Sequence, residues 1–194
     1  MTRYDDRTAL VVVDMQNDFA APDGSLSVRG GVDVVGVVNR EVAAARSGGA
    51  LCVYTLDWHP PDTPHFAKDG GPWPVHCVAG TWGAALVDGL AVAGPEVRKG
   101  TGGEDGYSGF SVRDPESGDE TPTELERLLR DADIQRVVIV GLATDYCVKE
   151  TALDAVRLGF ETVVLRAGVR AVDVRAGDGD AALAELATAG VTVS

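Results

Sequence analysis

Cysteine and positive charge are both scarce in this chain. Its three cysteines, Cys52, Cys77 and Cys147, form an odd set with no framework spacing. That argues against a disulfide-stapled scaffold and leaves at least one thiol free. Lysine and arginine number 17 against 30 aspartates and glutamates, for a net charge of -13. Such a balance disfavours nucleic acid and anionic membrane as partners. Long apolar runs are missing as well: none approaches the roughly 20 residues of a membrane-spanning helix. The opening "MTRYDDRTALVVVD" has two early acids and lacks the charged, apolar, small-residue order of a secretory leader, so a cytoplasmic protein is expected. No repeat, low-complexity tract or interdomain linker interrupts the 194 residues. That length suits one core, and a single domain over 1–194 is expected.

What is present is an alternation of short β-branched runs and amphipathic stretches. "TALVVVDM" (8–15) is an apolar run ending in an acid, the pattern of a buried parallel strand. "GGVDVVGVVNREVAAARSGG" follows with helical spacing and stops at Gly48 and Gly49, and "ALCVYTLD" (50–57) is a second strand ending in an acid. Further on, "TPTELERLLRDAD" opens with a Thr cap and a Glu three residues later. After it come strand "RVVIVGL", helix "DYCVKETALDAVRLG", strand "ETVVLR", a helix near "GDAALAELATAG" and a final "VTV". The expected fold is α/β: a doubly wound, mainly parallel six-stranded sheet with helices on both faces, in three layers. Ligands in such sheets bind beyond the carboxyl ends of the strands. Asp14, Asp57, Lys99 and the segment leading to Cys147 all fall at or just after strand ends, so they should converge on one crevice. Two stretches break the alternation, 58–95 and 100–121. Loops of that length are usually functional or disordered; the first holds every histidine of the chain, and the acidic "RDPESGDE" of the second reads as a solvated tip.

Asp57, His59 and His65 stand at offsets 0, +2 and +8 in "DWHPPDTPHF", with His76 following in "WPVHC". A carboxylate with imidazoles suits zinc, iron or manganese, and two histidines with one carboxylate leave positions open for water or substrate. Taken alone, the two histidines fit a proline-stiffened surface loop better; the acid at the strand end and the third histidine nearby shift the balance to a metal site. In "GLATDYCVKETALDA", Thr144 is placed to cap a helix and Cys147 to lie in its first turn, where the macrodipole favours a thiolate and free backbone N–H groups offer an oxyanion hole. A buried cysteine acting as a small hydrophobe is the plainer alternative. Asp14 in "VVVDMQNDF" is a candidate base, and Lys99 in "EVRKG" could hold it ionised or help depress the thiol pKa.

Together these stretches resemble the nicotinamidase branch of the isochorismatase-like cysteine hydrolases. The likeness rests on "VVVDMQNDF", "DWHPPDTPHF", "WPVHCVAGT", "VRKG", "YSGF" and "GLATDYCVKETALDA", in the family's order from residue 8 to about 158. It implies a catalytic triad of Asp14, Lys99 and Cys147, and an oxyanion hole from the amides of Ala143 and Cys147 behind a cis peptide. It implies also one divalent metal on Asp57, His59 and His65, supported or bound by His76, with zinc the first choice and iron or manganese the alternatives. Aromatics Phe19, Trp73 and Tyr107 would flank a pyridine ring. The implied reaction is hydrolysis of nicotinamide to nicotinate and ammonia through a thioester. A different small amide or carbamoyl substrate on the same triad is the alternative, and a homo-oligomer is left open.

Overall fold

The computed structural model describes residues 4–194. Met1–Arg3, which begin the stretch read above for a leader, lie outside the described residues. The chain opens with β1 (Thr8–Val13), a one-turn α1 (Asn17–Ala20), α2 (Val35–Gly48), β2 (Leu51–Asp57) and β3 (Glu96–Lys99). A hairpin of β4 (Ser111–Arg113) and β5 (Glu120–Pro122) leads to α3 (Leu125–Asp131) and β6 (Arg136–Leu142). Then come α4 (Lys149–Arg157), β7 (Glu161–Arg170), α5 (Asp178–Thr188) and β8 (Thr192–Val193).

Six strands form one sheet in the order β3-β2-β1-β6-β7-β8, and every pairing in it is parallel. The expected doubly wound α/β sheet is therefore present, and it is parallel throughout. Alternate residues of a strand face opposite layers, and β1 shows the consequence. Leu10 and Val12 pack with Val38, Val42 and Ala45 of α2, whereas Ala9, Val11 and Val13 pack with Leu125 and Leu129 of α3, Ala152 and Ala155 of α4, and Leu183 and Leu186 of α5. Burial on both faces explains why the strands read as unbroken apolar runs. The strand order reverses between β1 and β6, and this switch point opens a crevice at their carboxyl ends. The segments carrying Asp14 and Cys147 start there.

Three local expectations are corrected. The hydroxyl of Thr123 accepts the Leu125 N–H at 3.1 Å and donates to Gly109 O, but the reciprocal half of a capping box does not form because Glu126 pairs with Arg130 instead. Thr144 caps nothing: it lies inside a wide π-type turn, Thr144–Val148, that precedes α4, and Ala143 occupies the cap position. The last long strand runs on to Arg170 rather than ending at Arg166, with a register shift against β6 between Ile139 and Gly141. In stretch 100–121 the hairpin tip from Arg113 to Glu120 is exposed, as the acidic sequence suggested. Among the described residues no helix is long and apolar enough to cross a membrane.

Leu129 is fully buried where α3 meets the sheet. Leu129→Ala is expected to lower unfolding free energy by about 2–5 kcal/mol, read from urea midpoints, whereas Val174→Ser, at a position 67% exposed, should change it by less than about 0.5 kcal/mol.

Candidate active site

The crevice floor is built from strand ends. Asp14 follows β1 with φ 47°, a left-handed conformation that a side chain holds only when its surroundings impose it. Its N–H donates to Thr55 O, and its Oδ1 accepts the Thr55 hydroxyl at 2.6 Å. Lys99, the last residue of β3, is buried, and its Nζ lies 3.0 Å from Asp14 Oδ2 and 3.7 Å from Cys147 Sγ. The same ammonium donates to Asp57 Oδ1. The triad expected from separate stretches is thus assembled around one cation.

Electrostatics follow from that arrangement. Burial would push the Lys99 ammonium down, but Asp14 and Asp57 hold its pKa well above the ordinary lysine range. Burial also raises Asp14, with Lys99 opposing and Asp57 adding. For Asp57, burial acts upward and is outweighed by Lys99, His59 and His76, so its carboxyl titrates well below the usual range. Cys147 departs from expectation: burial lifts its thiol well above the ordinary value despite Lys99. A helix start favours a thiolate only by about 0.3–1 kcal/mol at an exposed position, and here desolvation is the larger effect. The resting group is therefore a thiol beside a carboxylate of raised basicity.

The second half of the crevice is a set of imidazoles. His59, His65 and His76 are buried and bring ring nitrogens within 4.8 Å of one another. Asp57 Oδ2 stands 3.8 Å from His59 Nε2 and 3.7 Å from His76 Nε2. The 58–95 stretch makes this possible by folding back on itself: His59 N–H donates to Cys77 O, and Ala79 N–H to His59 O. An extended path beyond β2 thus carries His59 to the same side as Asp57. His76 Nδ1 lies 2.7 Å from Pro74 O, so Nδ1 carries a proton and Nε2 faces the cluster. Among the described residues neither ring nitrogen of His59 has a hydrogen-bond partner, a costly state for a buried imidazole unless something else binds it. Burial and the neighbouring imidazoles lower His65 to about 4, so it is neutral near pH 7 with a lone pair available. Three imidazoles and a carboxylate oxygen suit a divalent transition metal, and the residues fit one.

Between the two halves lies a small, mostly apolar cleft. The expected Phe19, Trp73, Tyr107, Ala143 and Cys147 all line it. Trp73 Nε1 donates to the Tyr107 hydroxyl at 3.0 Å, and the peptide before Ala143 is cis. Sequence reasoning passed over Tyr146, whose ring meets Trp73 at 5.2 Å and Tyr107 at 5.3 Å between centroids; its position next to the candidate nucleophile was the available signal. Gln16 was passed over too. Its side-chain amide donates to Asp57 O and accepts the Asp57 N–H at 2.8 Å, fixing that backbone as a strand partner would. Nothing in the spacing of "DMQNDF" marks it, because residues past a strand end have no set periodicity.

An α/β sheet whose switch point holds a buried Asp, Lys and Cys defines a class of hydrolytic enzyme, and the comparisons agree. Residues 8–194 match the isochorismatase domain, and the chain belongs to that family. It is 37% identical to the nicotinamidase of Escherichia coli K12, covering 95% of this chain and 93% of that protein. Among solved structures, the pyrazinamidase of Pyrococcus horikoshii in complex with zinc superposes with a TM-score of 0.86 at 40% identity, covering 97% of this chain and 98% of that one. PnC1 of L. infantum in complex with nicotinate gives 0.89 at 37%, covering 100% and 95%. A more distant neighbour, the N-carbamoylsarcosine amidase of Thermoplasma acidophilum, gives 0.74 at 30%, covering 97% and 95%.

Gly100 follows Lys99 at φ +78°, and a Cβ there would lie 2.6 Å from Cε1 and Nδ1 of His59. Gly100→Ala is expected to displace His59 and weaken zinc binding by about 10-fold or more, measured by competition with a chromophoric chelator, while far-ultraviolet circular dichroism stays as in the parent.

Proposed function

We propose that this protein is a metal-containing cysteine amidohydrolase that converts nicotinamide to nicotinate and ammonia. The observation that carries the reading is Lys99 Nζ, 3.0 Å from Asp14 and 3.7 Å from Cys147, where Cys147 lines an aromatic cleft that His65 and His76 also line. The ring lies among Phe19, Trp73 and Tyr107, and the carboxamide carbon meets Cys147 Sγ. Asp14 accepts the thiol proton as sulfur attacks, and the developing oxyanion rests on the amides of Ala143 and Cys147. Asp14 then returns that proton to the leaving nitrogen. Ammonia departs and a thioester remains. Water, deprotonated by Asp14, adds to the thioester carbon; collapse releases nicotinate and restores the thiol. A group whose pKa is raised by burial suits both tasks, since an ordinary aspartate is too weak a base to take a thiol proton. Lys99 keeps its charge throughout and limits the cost of moving negative charge between Asp14 and sulfur.

His59, His65 and His76, with Asp57 Oδ2, would hold one divalent metal, zinc first and iron or manganese as alternatives. When bound, it would supply a Lewis-acid contact for the ring nitrogen and so align the carboxamide. The reading carries with it a cytoplasmic, single-domain enzyme of NAD salvage acting on a small-molecule amide.

Cys147→Ala is expected to reduce ammonia release from nicotinamide by on the order of 10⁴-fold or more while zinc content is kept. Near-parental turnover by that variant would remove Cys147 from the mechanism. With the parent protein, nicotinamide should far outrun N-carbamoylsarcosine in kcat/KM; the reverse order would assign the site to a carbamoyl substrate.

A further inference from the structure

Asp18 is a buried carboxylate that the chemistry above leaves unused. Among the described residues no lysine, arginine or histidine donates a hydrogen bond to it. Its Oδ2 accepts the backbone N–H of Cys77 at 2.7 Å, and its Oδ1 accepts that of Ser25 at 3.1 Å. The stronger contact is to the residue directly after His76, at a point where the backbone is left-handed, with Cys77 at φ 47°. Gly83 closes over the carboxylate: a Cβ on that residue would overlap it, and Asp18 N–H donates to Gly83 O at 3.0 Å. His76 is therefore gripped twice, its ring by Pro74 O and its backbone by Asp18 through Cys77. A charge-assisted bond to a backbone N–H is roughly twice as strong as a neutral one. It adds a directional restraint to the packing of a strained loop residue. Val75, the neighbour on the other side, is 39% exposed, whereas Cys77 is fully buried in the core.

We propose that Asp18 is a positioning residue that holds His76 in the imidazole cluster through the Cys77 amide. The inference rests on the reading of that cluster as a metal site. Outer groups that orient a ligand typically contribute about 10–100-fold to metal affinity, and a group acting only through His76 contributes nothing once that imidazole is gone.

The test is a cycle of zinc dissociation constants for the parent, Asp18→Ala, His76→Ala and the double variant. Asp18→Ala should bind zinc about 10–100-fold more weakly than the parent, and the double variant should bind no more weakly than His76→Ala alone. Cobalt(II) loaded to saturation should give Asp18→Ala and His76→Ala the same change in visible spectrum. If Asp18→Ala does not fold, Asp18→Asn carries the cycle, since one acceptor oxygen cannot serve both N–H groups. Unchanged zinc affinity in the Asp18 variant, or losses that add in the double variant, would overturn the assignment. So would failure of both Asp18 variants to fold in excess zinc, which would make the carboxylate a support of the fold. A parent protein that binds no zinc or cobalt at all would instead remove the metal reading itself, before any variant is compared.

Discussion

One buried ammonium group joins everything chemical in this protein. Lys99 Nζ sits between the carboxylates of Asp14 and Asp57 and faces the sulfur of Cys147. Taking a single ion out of water costs several kcal/mol even after relaxation. A cation with two carboxylates around it is the arrangement that offsets this, and it explains why the strand end, the turn after β1 and the end of β2 must meet at one point. The parallel sheet is the device that makes them meet. Strands β1, β2 and β3 lie side by side, so their last residues are neighbours whatever the loops between them do.

The sheet and the meeting of Asp14, Lys99 and Cys147 at one crevice were legible in the sequence for the same reason. Buried parallel strands announce themselves as runs such as "VVV" and "RVVIVGL", and an acid or lysine closing such a run has only one end of the sheet to occupy. The histidine half was harder to read. His59 and His65 alone favoured a surface loop over a metal site, because nothing local shows that residues 59 and 78 pair across the loop. The bridge between His59 and Val78 is tertiary, and it brings the segment of chain bearing His76 back beside Asp57. Groups that act through the backbone, Gln16 and Asp18, were illegible: both lie in a stretch chosen for Asp14, and their hydrogen bonds reach residues 41 and 59 positions away.

The state of Cys147 shows where local rules give way. A helix start argues for a lowered thiol pKa, and burial in the folded protein argues the other way. The wide turn that precedes α4 also replaces the regular first turn on which the macrodipole estimate depends. In the folded protein desolvation therefore outweighs both the turn and the Lys99 ammonium in setting the state of this thiol.

Asp57 divides its two oxygens between Lys99 and the histidines, and that division constrains descent as well as chemistry. A lineage that discards the imidazoles strands one oxygen of a buried anion and shifts the field at Lys99; one that rebuilds the triad tugs on the histidines. A substitution in either half is therefore felt in the other through the charge on Asp57.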